Sequence, residues 1–184
     1  MTGRFRGMMT ALVLGVLLTG CTGGASVDGM NMQEAASRAD EIMDATVNDI
    51  KPQVEWVYGP TTKGSCSVTR RRAVMTIVSR VRRGNFLGVV ERMWGSRDYR
   101  IKSVNNDMDF PAIFAQTRDG FGVALIVGGE GQVFFEVDSP CVEESEVVGP
   151  VAEPGRQLPV GTEIIPRPNI HSDFWSGAGG GGGS

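Results

Sequence analysis

Few residues of this 184-residue chain are of types that do chemistry on their own. There are three cysteines, Cys21, Cys66 and Cys141, and one histidine, His171. No cysteine has a CxxC partner and only one histidine exists, so neither a metal site nor a thiol redox motif is expected. His171 lies in a proline-rich stretch beside Asn169, Ser172 and Asp173. Nothing there would hold a general base within hydrogen-bond reach of a substrate. The G-x-S-x-G and H-E-x-x-H motifs are absent. Glu55, Asp107, Asp109 and Glu130 are carboxylates that glycoside chemistry would have to pair, but their spacing selects no two of them. The expectation is a chain that is not an enzyme, with no catalytic residue and no cofactor.

The densest unusual feature is basic. Arg70, Arg71, Arg72, Arg80, Arg82 and Arg83 fall within fourteen positions. On one long alternating strand, Arg72, Arg80 and Arg82 share the face opposite Ala73, Met75 and Ile77. Such a stripe offers an anion or partner contact, to lipid headgroups or to an anionic envelope polymer. Its plainer reading is a solvated face paired with acids on neighbouring strands. A net charge of −3 argues against a nucleic-acid partner. Trp56 and Tyr58 share a strand face, with Trp94 near them in the pattern; core packing is the expected role and a binding platform the other. Phe174 and Trp175, in a polar tail with Ile164 and Ile165, either dock back on the sheet or anchor a partner.

The elements that must position these residues follow from periodicity. With 41% hydrophobic and 21% charged residues, the chain suits one globular domain. Met32, Ala35, Ala36, Ala39, Ile42 and Met43 recur at helical intervals, predicting a helix from about 32 to 49. Asn31 and Glu34 have capping-box spacing, and Pro52 stops the helix. Val54, Trp56 and Tyr58 predict a short strand, and residues 67 to 81 a longer one. Asn85 is placed to cap a second helix carrying Phe86, Val89, Val90, Met93 and Trp94, with Gly95 as its stop. Strands follow near Tyr99 and Ile101 and at 112–117. Two more alternate on either side of a glycine turn at 128–131, and Asp119-Gly120 opens this last part as a tight hairpin. Helix, two strands, helix and about four strands make an α+β fold. We expect a two-layer sandwich, an antiparallel sheet of about five to six strands with two helices on one face.

The N-terminus assigns the compartment. Arg4 and Arg6 precede the apolar run 8–19, which spans only about 18 Å as a helix and is too short for a bilayer core of about 30 Å. It reads as an export signal. The sequence Leu18-Thr19-Gly20-Cys21 that closes it resembles the lipobox of bacterial lipoproteins. The resemblance implies a diacylglyceryl group on Cys21, cleavage after Gly20 and a membrane anchor. Removing residues 1–20 takes away Arg4 and Arg6 and no acid, leaving a net charge of −5, so lipid rather than charge would hold the body at an anionic surface. With Cys21 lipidated, Cys66 and Cys141 remain as one potential disulfide in an oxidising compartment. In the chain-entropy view that bridge stabilises by about 4 kcal/mol at most.

With its signal, its cysteine pair and its high glycine content, the whole chain is similar to small actinobacterial lipoproteins of no assigned activity. The expected organisation is a signal peptide (1–20), a flexible spacer (21–30), an α+β domain (31–142) and a Pro/Gly-rich, largely disordered tail (143–184). The expected role is a non-enzymatic ligand- or partner-binding domain on the extracytoplasmic face of the cell membrane. An envelope hydrolase using carboxylates, or a structural spacer without a ligand, stands as the alternative.

Overall fold

The computed structural model describes residues 29–150, 155–157 and 165–177. Cys21, the signal region 1–20, the spacer up to residue 28 and the terminal glycine run lie outside the described residues.

The first helix, α1 (Met32–Asp49), starts on the predicted capping box: Asn31 Oδ1 accepts from the Glu34 backbone N–H at 3.0 Å, and Glu34 returns the bond to Asn31 N at 2.9 Å. Two of the helix's orphan donors are satisfied in this way. Its stripe of Met32, Ala35, Ala36, Ala39, Ile42, Met43 and Val47 is fully buried. The chain then forms β1 (Trp56–Tyr58), a two-residue β2 (Thr62–Lys63) and β3 (Val68–Val74), turns through a 3-10 segment at Arg80–Arg82, and enters α2 (Arg83–Ser96). Strands β4 (Arg100–Asn105), β5 (Ala112–Gln116), β6 (Gly122–Val127) and β7 (Val133–Asp138) complete it as a meander.

The seven strands among the described residues pair antiparallel in the order β1-β3-β7-β6-β5-β4, with β2 added on β3. Both helices cover one face, α1 over β3 and β7, α2 over β4, β5 and β6. The fold is therefore the expected two-layer α+β sandwich, with β2 as a strand the periodicity did not foresee. Two residues are too few to show alternation. Arg72, Phe135, Leu125 and Ile113 stand opposite one another across four strands on the helix-covered face. Arg70, Val137, Val123 and Ala115 form the next row.

Three boundaries differ from expectation. The strand expected to reach residue 81 ends at Val74, because both neighbours run out there: Val74 faces Trp56 at the start of β1 and Val133 at the start of β7. Helix α2 begins at Arg83 without a side-chain cap, since the 3-10 turn feeds it directly, so Asn85 lies inside its first turn. Its exit is made by Asp98 at φ 59°, a conformation aspartate tolerates, and not by Gly95.

Strands β3 and β7 begin and end side by side, and Cys66 and Cys141 form the disulfide there, Cα atoms 4.8 Å apart. The chain enters at the same pole, where Met32 N donates to Glu143 O and Glu143 N donates to Met30 O, both at 3.0 Å. The tail departs from the largely disordered stretch expected of it over 143–150 and 165–177. Ile77 N donates to Ile170 O at 2.8 Å, and Trp175 is completely buried. Its ring meets Phe86 edge-on at 5.0 Å, and its Nε1 donates to Pro52 O at 2.7 Å. Composition predicted too little apolar surface for a second core; these residues instead complete the first. Trp175→Ala is expected to cost about 3–5 kcal/mol, the range for a large buried aromatic, read as a lowered urea midpoint at unchanged m-value.

Candidate ligand-binding site

The arginine stripe is not a stripe. Arg72 does lie on the strand face opposite Ala73, but that face points into the helices and not into solvent. Arg70 is 2% exposed and Arg72 is fully buried. Arg72 Nη2 donates to Asp40 Oδ1 at 2.8 Å and Asp44 Oδ1 at 3.2 Å, two acids one turn apart on α1. Its guanidinium carbon sits 4.0 Å from the Tyr58 ring centroid and 4.9 Å from that of Trp56. Arg70 Nε lies 3.3 Å from Asp40 Oδ2, while its terminal nitrogens donate to Thr61 Oγ1 at 2.5 Å and Val148 O at 2.8 Å. Burial pulls the Arg70 pKa down and the neighbouring Arg72 charge adds to this, while Asp40 opposes both. A guanidinium stays charged regardless, so the pairing is obligatory.

Arg80 and Arg82 sit elsewhere, on the 3-10 turn after β3. Arg80 clasps Asp109 with Nε–Oδ1 2.5 Å and Nη2–Oδ2 3.2 Å. That hydrogen bond raises the Arg80 pKa and lowers the Asp109 pKa. Arg82 lies 4.6 Å over the Phe174 ring. The three arginines singled out from the sequence are thus brought to two different places and bound to the protein's own groups. Arg71, on the outer face, pairs with Glu136, as a solvated strand face would.

The candidate carboxylates do not all come together, because Glu55 stands apart from the rest. Glu55 precedes β1 at one edge of the sheet, while Asp107 and Asp109 follow β4 at the other. Five inter-strand steps of about 4.8 Å separate those edges, roughly 24 Å, against the 5–9.5 Å that paired carboxylates need. Asp107 Oδ1 accepts the backbone N–H groups of Asp109 and Phe110, both at 2.8 Å, and Glu130 pairs with Arg167. His171 is exposed, 3.8 Å from Asp173. Trp94 is core, donating to Thr46 Oγ1 at 3.2 Å. Among the described residues no group of three or more His, Cys, Asp or Glu side chains is placed to hold a metal ion.

What the sequence reading missed is a cleft of about 280 Å³ lined by Lys51, Gly84, Asn85, Gly88, Val89, Arg92, Phe174 and Trp175. It lies between the end of α1, the first half of α2 and the docked tail. Lys51 Nζ is held at its edge by Asn48 O at 2.9 Å. Arg92, one turn beyond Gly88, has no ion-pair or hydrogen-bond partner among the described residues, and its Nη1 lies 3.3 Å from where a Cβ on Gly88 would stand. The only available signal was Gly88 inside the predicted helix, where glycine costs about 1 kcal/mol relative to alanine; Gly84 stood just before the expected cap. The same pole carries exposed Ile77, Val81, Met108, Phe110, Ile170 and Phe174.

No protein family, curated protein or solved structure matches the chain.

Two outcomes test the charge assignments. Arg72→Ala leaves Asp40 with Arg70 alone and Asp44 with solvent, and is expected to destabilise by about 1.5–3 kcal/mol, whereas Arg80→Ala, at an exposed pair, leaves the denaturation midpoint unmoved. At Asp119, partial burial pushes the carboxyl pKa up. Hydrogen bonds from Thr117, Arg38 and its own backbone N–H, together with the Arg38 charge, carry it below the usual range. A depressed carboxylate stabilises above its ordinary pKa of about 3.9 and loses that contribution as pH falls through the folded value. The melting-temperature gap between wild type and Asp119→Asn is therefore expected to be widest near pH ~7 and to close by pH ~2.

Proposed function

We propose that this chain is a lipid-anchored, extracytoplasmic, non-enzymatic domain that binds a ligand. Its address rests on the Leu18-Thr19-Gly20-Cys21 ending, supported by the Cys66–Cys141 bridge, which belongs to an oxidising compartment. The binding role is carried by one observation: a cleft in which Lys51 and Arg92 face an opening whose lining contains no carboxylate. Among the described residues, Arg38, Arg70, Arg71, Arg72, Arg80, Arg97, Arg118 and Arg167 are matched by the protein's own acids. The carboxylates that a hydrolase would use are separated across the sheet or engaged in turns and ion pairs.

Expression in a bacterial host tests the anchor. The wild-type chain is expected in the membrane fraction, released only by detergent, with a mature mass that includes two or three acyl chains. Cys21→Ser is expected to keep its signal and lose the lipid mass. Wild-type protein with an unmodified Cys21 thiol, partitioning to the aqueous phase, overturns the anchoring.

A further inference from the structure

We infer that the cleft between α1, α2 and the Phe174–Trp175 segment takes an acidic group, a carboxylate or phosphate, carried on a sugar-sized body. This inference rests on the ligand-binding reading above and names the chemistry of that ligand.

Charge is the first argument. Lys51 and Arg92 are the ionisable side chains of the lining, and both are cationic. Arg92 is exposed and differs from most arginines of the described chain in lacking a side-chain partner, with its Nη1 lying 3.3 Å from where a Cβ on Gly88 would stand. Lys51 uses one ammonium N–H on Asn48 O and keeps two donors. A planar guanidinium and an ammonium beside one opening match the oxygens of a carboxylate or phosphate, the guanidinium by two parallel bonds.

The second argument is the floor. A Cβ on Gly84 would meet nothing within 4 Å, so no close packing demands glycine there. A Cβ on Gly88 would meet only Arg92 Nη1. Two glycines inside α2 thus work against helix stability without relieving a backbone contact; what they leave open is the cleft. Its third wall is aromatic. Phe174, exposed over 40% of its surface, packs edge-on against Trp175 at 4.8 Å and carries Arg82 over its ring, and is the aromatic side chain against which a sugar ring would pack. At about 280 Å³ the space lies just below the usual range for drug-sized ligands, which sets the scale at one sugar ring or less.

The test uses the 15N-labelled mature chain carrying Cys21→Ser, disulfide intact, titrated separately with glucuronate, glycerol phosphate and glucose. Saturable shifts are expected at the Gly84 and Gly88 amides and at Arg92 Nε–H with one or both acids, and none with glucose. The two acids distinguish carboxylate from phosphate as the natural group. Arg92→Gln is expected to weaken binding about tenfold, the loss of one charged hydrogen-bond pair. Gly88→Ala, whose methyl fills the floor of the cleft and shifts Arg92 Nη1 slightly, should weaken binding while raising the melting temperature, separating site from fold. Glucose binding at the cleft as well as the acids overturns the inference but leaves the ligand-binding reading standing. Acid binding that is indifferent to Arg92→Gln and Lys51→Gln, or no shift at the cleft with any of the three, also overturns it.

Discussion

Two arginines inside the sandwich constrain everything around them. Arg70 and Arg72 occupy positions in core rows where the neighbouring strands place Val137, Val123, Phe135 and Leu125. Leaving such charges unpaired would cost several kcal/mol each, so α1 must lie where Asp40 and Asp44 can reach them. That requirement sets the rotation of α1 about its axis and its height along β3. It also draws Trp56 and Tyr58 of the edge strand inward as the aromatic bed of Arg72.

The same network explains where the sequence was hard to read. Alternation along β3 separates Arg70 and Arg72 from Ala73 correctly, but residue type alone sends arginine outward and alanine inward. The acids that reverse the choice lie about thirty residues away on α1 and leave no local mark. By contrast, the α1 capping box, the Asp119-Gly120 hairpin, the meander of β5, β6 and β7 and the bridging of Cys66 to Cys141 were legible, because each depends on neighbours in sequence or on a single pair. The end of β3 was not legible, since it is set by where β1 and β7 begin.

The cleft lay further from view still. Its cations come from the end of one helix and the middle of another, and its aromatic wall comes from a tail whose proline and glycine content reads as unstructured. Only Gly88 hinted at it, as a residue that a helix would avoid without cause. Trp175 links the two problems: by filling the core beside Phe86 and bonding Pro52, it turns a low-complexity segment into one side of a site.

One more consequence follows from the pole where the chain enters. Tension applied at Met30 passes at once into the paired backbone of residues 30–32 and Glu143, two residues beyond Cys141. The covalent bridge then hands it to β3 and β7, which are neighbours near the middle of the sheet and not at its rim. A pull from that side therefore loads interior strands along their length, where many hydrogen bonds must fail together, instead of unzipping an edge one bond at a time.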